Sequence, residues 1–80
     1  MSGTKVLPKQ IANKIIEYIV RNDLPTGEKL PNEFELAELL NVGRSTVREA
    51  VKSLITRNIL EVRQGAGTFV SNGRLGVSDD

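Results

Sequence analysis

The 80-residue chain has no cysteine and no histidine. These absences remove disulfides, thiolate nucleophiles, imidazole general bases and most zinc or haem ligand sets. A domain this small without staples relies on packing alone. There is no apolar run near the ~20 residues that a membrane helix needs. The opening MSGTKVLPK has no apolar stretch of the kind a secretory signal carries. The lack of cysteine also fits a reducing compartment, so the expected location is cytoplasmic, with no membrane partner. The length suits one core of about three helices and a hairpin, with little space for a substrate cleft. No catalytic constellation is present, and the reading is of a non-enzyme without cofactor or metal in this domain. Glu33, Glu35 and Glu38 are the nearest approach to a metal cluster, but helix polarity explains them better.

A net charge of +1 conceals an uneven distribution. Residues 1–41 carry five Lys/Arg against six Asp/Glu, whereas residues 42–74 carry six Lys/Arg against Glu49 and Glu61 alone. The tail ends in Asp79 and Asp80. A positive half on a near-neutral chain suggests one anion-facing surface. Scattered solvated charge is the competing reading, and composition alone favours it.

Residues 1–7 are small and polar and read as a mobile arm. Pro8 can open a helix, and Ile11, Ile15, Ile16, Ile19 and Val20 continue it as an apolar stripe to about residue 22. Leu24-Pro25-Thr26-Gly27 is a turn, and Glu28-Lys29-Leu30 has room for a short strand. Asn32 followed by Glu35 forms a capping pattern. A second helix is therefore predicted from Glu33 to Leu40, with Leu36, Ala37, Leu39 and Leu40 inward.

The next stretch, Asn41 to Ile55, organises the rest. Asn41 tolerates the left-handed conformation that ends a helix. Val42 plugs the corner, and Gly43 leaves room for close approach. From Arg44 to about Arg57 a third helix carries two stripes. Val47, Ala50, Val51, Leu54 and Ile55 recur at core spacing, while Arg44, Arg48 and Lys52 stack beside them. Asn58 is another left-handed stop. Leu60 and Val62 then alternate with Glu61 and Arg63 as a half-buried strand. Gly65-Ala66-Gly67 turns the chain into Thr68-Phe69-Val70-Ser71. Leu36, Leu39, Leu54 and Phe69 are predicted core.

Helix, short strand, helix, turn, helix and hairpin is the order of a winged helix-turn-helix, mainly α with a small β-hairpin. The domain spans residues 8–72, with 73–80 as linker. Leu30 to Ser71 also resembles the DNA-binding domain of GntR-family bacterial transcription regulators. The resemblance rests on Leu30-Pro31, Glu35-Leu36-Ala37, the Val-x-Arg-x-Thr-Val-Arg-Glu-Ala run from Val42 to Ala50, and Arg-Gln-Gly-x-Gly-Thr-Phe-Val from Arg63 to Val70. Three positions depart from the pattern. Phe34 stands where many members carry a DNA-holding Arg, so that contact is expected to be missing or replaced by packing. Gly43 stands where a capping Ser is common, and Asn58 where Gly is common.

The resemblance implies sequence-specific binding of double-stranded DNA, with helix 44–57 in the major groove and wing 60–71 at the minor groove. Arg44 and Arg48 become base readers, because Arg donates two hydrogen bonds to guanine O6 and N7. The alternative for both is pairing with Glu49 or with carboxylates of the second helix. Ser45 and Thr46 at the helix start suit a phosphate, or else ordinary capping. Lys52 adds a phosphate contact or only long-range attraction, Thr68 adds a phosphate contact, and Arg63, Gln64, Gly65, Ala66 and Gly67 form the wing edge at the minor groove or else a plain hairpin turn. A nucleotide-cradling loop is excluded there, since no Gly-Lys-Ser/Thr follows. The resemblance further implies a ligand-responsive repressor, homodimeric on an inverted repeat, with a small-molecule effector bound by a C-terminal domain after the linker. The tail GVSDD is similar to the linker of members whose effector domain is all helical. A winged helix used for protein interaction or dimerisation is the competing function; it predicts a neutral or apolar face where Arg44, Arg48 and Lys52 stand.

Overall fold

Pro8 sits in the first turn of α1 (Pro8–Arg21), where its missing N–H removes no hydrogen bond. The computed structural model describes residues 7–71 and continues with α2 (Glu33–Leu40), α3 (Arg44–Thr56), β1 (Leu60–Arg63) and β2 (Gly67–Val70). The arm assigned to residues 1–7 lies outside the described residues except for Leu7, and the linker at 73–80 lies outside entirely. β1 and β2 pair antiparallel from Leu60↔Val70 to Arg63↔Gly67. Residues 27–30 lie along the free side of β2. Val70 N–H donates to the Glu28 carbonyl at 2.8 Å, and Leu30 N–H donates to the Thr68 carbonyl at 2.9 Å. The short strand expected at Glu28–Leu30 is thus a single bridge, Lys29↔Phe69. Three helices and this hairpin make a winged helix-turn-helix.

All three helices stop in the same way. Asp23, Asn41 and Asn58 have φ of 49°, 58° and 62°. The residue after each donates its N–H back across the last turn, Leu24 to Ile19, Val42 to Ala37 and Ile59 to Leu54, at 2.9–3.0 Å. This is the Schellman arrangement, and its usual apolar contact is made by Leu24, Val42 and Ile59 against the core. Asn41 and Asn58 are foreseeable as left-handed caps. Asp23 is not, because the Pro25-Thr26-Gly27 turn signal beside it is stronger. At the other end of α2, Asn32 and Glu35 form the expected reciprocal cap, with bonds of 2.8 and 2.9 Å.

α3 is the hub, touching α1, α2 and β1. Ile11, Ile15, Leu36, Val47, Leu54 and Leu60 are its fully buried surroundings and its own inner face. Truncating a side chain such as Leu54 to Ala costs about 2–5 kcal/mol in such a setting.

Four expected core positions are corrected. Leu39 is 56% exposed and Val20 is 67% exposed. Each residue advances about 100° round a helix. The buried arc of α2 centres between Leu36, Ala37 and Leu40, leaving Leu39 roughly 110° away. Val20 stands similarly far from the arc of Ile11, Ala12 and Ile15. Val62 shares the inward face of the hairpin with Leu60 but is 56% exposed. Its phase follows the alternation and its depth does not, because the hairpin projects past the core. Phe69 is half-buried on the opposite face from Leu60 and Val70, where Arg63 covers it.

Candidate nucleic-acid interface

α3 buries Val47, Ala50 and Leu54 completely, which turns Arg44, Ser45, Arg48, Glu49 and Lys52 out to solvent. Thr46 is half-buried. The first intrahelical bond is Val47 N–H to the Gly43 carbonyl at 3.2 Å. The N–H groups of Ser45 and Thr46 precede it and have no helical acceptor. Gly43 supplies no side-chain cap either. A Cβ at Gly43 would meet nothing within 4 Å. Close approach within the chain is therefore not why a glycine stands there.

The two arginines are held differently. Arg48 reaches back to α2 and donates to Glu33 twice, Nη2 to Oε1 at 2.8 Å and Nε to Oε2 at 3.3 Å. These hydrogen bonds, with the Arg48 charge and the more distant Arg44, outweigh partial burial and hold the Glu33 carboxyl below the usual glutamate range. The same bonds raise the Arg48 guanidinium. Arg44 instead lies over the Phe34 ring, 5.9 Å from its centroid. Phe34 is 54% exposed, so it supports Arg44 rather than joining the core. Among the described residues no carboxylate stands in salt-bridge reach of Arg44. Lys52 has a loose partner one turn back, Glu49 at 3.7 Å.

In the wing, Ala66 N–H donates to the Arg63 carbonyl at 2.8 Å and closes the turn. Gly65 and Gly67 have φ of +78° and +124°, which side chains rarely accept. Gln64, Gly65 and Ala66 form the exposed tip. Arg63 is folded back on the hairpin. Its Nε donates to Glu61 at 2.7 Å and its guanidinium lies 4.2 Å from the Phe69 centroid. To enter a groove it must leave both. Thr68 faces a cleft of about 470 Å³ between the wing and α3, lined also by Val51, Ile55 and Val62.

Lys29 escaped the sequence reading. Its side chain runs along Gly67, close enough that a Cβ there would sit 2.8 Å from Cε. It lines the same cleft as Arg48 and Lys52. The signal was available: Leu30 is buried, and strand alternation turns its neighbour Lys29 the other way.

The fold and its basic outer helix define a winged helix-turn-helix of the nucleic-acid-binding kind. The profile of the bacterial regulatory proteins of the gntR family matches residues 7–70, and the chain belongs to that family. It is 44% identical over 73 residues to the mannosyl-D-glycerate transport/metabolism system repressor MngR of Escherichia coli K12, covering 91% of this chain and 30% of that protein. The structure of Streptococcus agalactiae GntR superposes with a TM-score of 0.82 at 59% identity, over 91% of this chain and 34% of that one. The structure of the AraR DNA-binding domain in complex with operator ORR3 superposes with a TM-score of 0.72 at 30% identity, over 89% of both chains. The chain therefore spans about 30% of the length of MngR.

Proposed function

We propose that this chain is the sequence-specific DNA-binding unit of a transcription regulator, acting as a repressor on operator DNA in the cytoplasm. One observation carries the reading: α3 is anchored through Val47, Ala50 and Leu54 while Arg44 and Arg48 project from its outer, N-terminal half. In helix-turn-helix proteins the N-terminal residues of the second helix meet base edges. Arg44 and Arg48 each suit a guanine. The open N–H groups and hydroxyls of Ser45 and Thr46 suit a phosphate. Lys52, Lys29 and Thr68 surround the cleft where the strand would pass between α3 and the wing. Gln64 and the backbone of Gly65, Ala66 and Gly67 form an edge narrow enough for a minor groove. Arg63 joins them on release from Glu61 and Phe69. The AraR domain solved on its operator supports the docking, and MngR being a repressor supports the sign of regulation.

The whole regulator is proposed to bind an inverted repeat as a homodimer and to answer a small-molecule effector through a further domain. The greater length of the relatives supports the further domain. Alone, the chain binds one half-site and lacks the avidity of the pair.

The test is fluorescence anisotropy of a duplex selected by the chain from a randomised library, titrated with salt for wild type, Arg44→Ala and Arg48→Ala. Each substitution is expected to cost about 1–3 kcal/mol and relax one base preference. Binding that ignored salt and both substitutions would refute the reading.

A further inference from the structure

Glu33 and Phe34 are consecutive at the start of α2, and each engages one arginine of the outer face of α3. They do so by opposite chemistry. Glu33 occupies two of the N–H donors of Arg48. Phe34 attracts Arg44 through the face of its ring and consumes no donor. Arg44 is thus steadied with its hydrogen-bonding edge open, the state that a bidentate contact requires. The ring itself remains 54% exposed. It borders an open hollow with Val42, Gly43 and Arg44 at the start of α3. Among the large, strongly exposed apolar side chains of the described residues, it is the one aromatic.

A duplex edge brought against Arg44 also meets this ring. In the major groove the base feature that matches an apolar surface is the 5-methyl group of thymine. We propose that Phe34 is a specificity-determining residue, positioning Arg44 for a guanine and taking up the 5-methyl of a thymine beside it. The inference rests on the base-reading role given to Arg44 above. It makes the guanine and the thymine one composite element of the half-site, read by a stacked Arg–Phe pair.

The test uses the 80-residue chain and the duplex selected by it. Each thymine of the half-site is replaced in turn by deoxyuridine, which lacks only the methyl group. One replacement, next to the guanine whose preference disappears in Arg44→Ala, is expected to weaken wild type about fourfold, the worth of one buried methyl. Phe34→Ala binds the thymine and uracil duplexes alike. Phe34→Leu, apolar without a π face, keeps the methyl preference and loosens the guanine preference. The ring lies outside the buried core, and thermal unfolding of both variants verifies the fold. If wild type treats thymine and uracil alike at every position while Arg44→Ala still changes the selected guanine, Phe34 does not read a methyl. Retention of the methyl preference by Phe34→Ala has the same meaning. If Arg44→Ala selects the same sequences as wild type, the base-reading role fails and this inference fails with it.

Discussion

The carboxylate of Glu33 holds the guanidinium of Arg48 by two hydrogen bonds, 2.8 and 3.3 Å long, across the helix-turn-helix corner. The pairing of Arg48 with a carboxylate of the second helix, read from the sequence as the alternative to base contact, is therefore present in the free chain. The two roles are compatible. A guanidinium has five N–H donors in a fixed fork, and a carboxylate behind it restricts how the remaining edge points. The same carboxylate also places a negative charge where the proposed duplex lies.

Glu33→Gln is expected to separate these effects. Removing the charge raises affinity for random-sequence duplex at low salt, because phosphate attraction is no longer opposed. Loosening Arg48 lowers the ratio of selected-site to random-site affinity. Anisotropy titrations on both duplexes give that ratio, and an unchanged or increased ratio would show that Glu33 does not position Arg48.

The pair also predicts a pH dependence of stability. The Glu33 carboxyl is depressed by the Arg48 hydrogen bonds, so its contribution is present above the ordinary glutamate pKa and is lost as pH falls through the lowered value. Arg48 stays charged throughout. The stability gap between wild type and Arg48→Ala, measured by urea unfolding from about pH 7 down to about pH 3, should narrow only in the acidic part. The gap is small because both side chains face solvent. A gap that widened in acid would contradict the assignment.

Asn58 ends α3 at a φ of 62°. Asn58→Ala should destabilise the domain by about 1 kcal/mol, since alanine lacks the local tolerance of asparagine for that conformation. Asn58→Gly should be neutral or slightly stabilising. Thermal unfolding distinguishes the two; equal losses would place the role of Asn58 in its side chain rather than its backbone.

Lys29 tests the cleft between α3 and the wing. Lys29→Ala should weaken binding equally on all sequences and flatten the salt slope by about 1, with no change of base preference. A steeper or unchanged slope would place Lys29 off the DNA path.

Much of this architecture is legible in the residues because periodicity reports phase. The spacing of Val47, Ala50 and Leu54 marks the inner face of α3, and Asn32 with Glu35 marks the start of α2. Depth is a different quantity. Val62 has the correct phase and is exposed, since how far the hairpin outruns the core depends on packing of distant elements. Leu39 misled because a short, strongly apolar helix does not reveal the centre of its buried arc. At the candidate site the basic stripe and a carboxylate partner on the second helix are legible, but which carboxylate is not. Glu33 lies fifteen positions before Arg48, and only the turn at Asn41 to Gly43 brings them together. The clasp of Arg63 by Phe69 depends likewise on hairpin register, which places Phe69 opposite Glu61.

The left-handed stops at Asn41 and Asn58 fix where the chain enters and leaves the neighbourhood of α3, and Val47, Ala50 and Leu54 fix its roll. None of these constraints involves Arg44, Ser45 or Arg48. The outer positions of α3 are therefore open to substitution without loss of the scaffold, and a lineage built on this frame can acquire a new operator by changing a few surface letters.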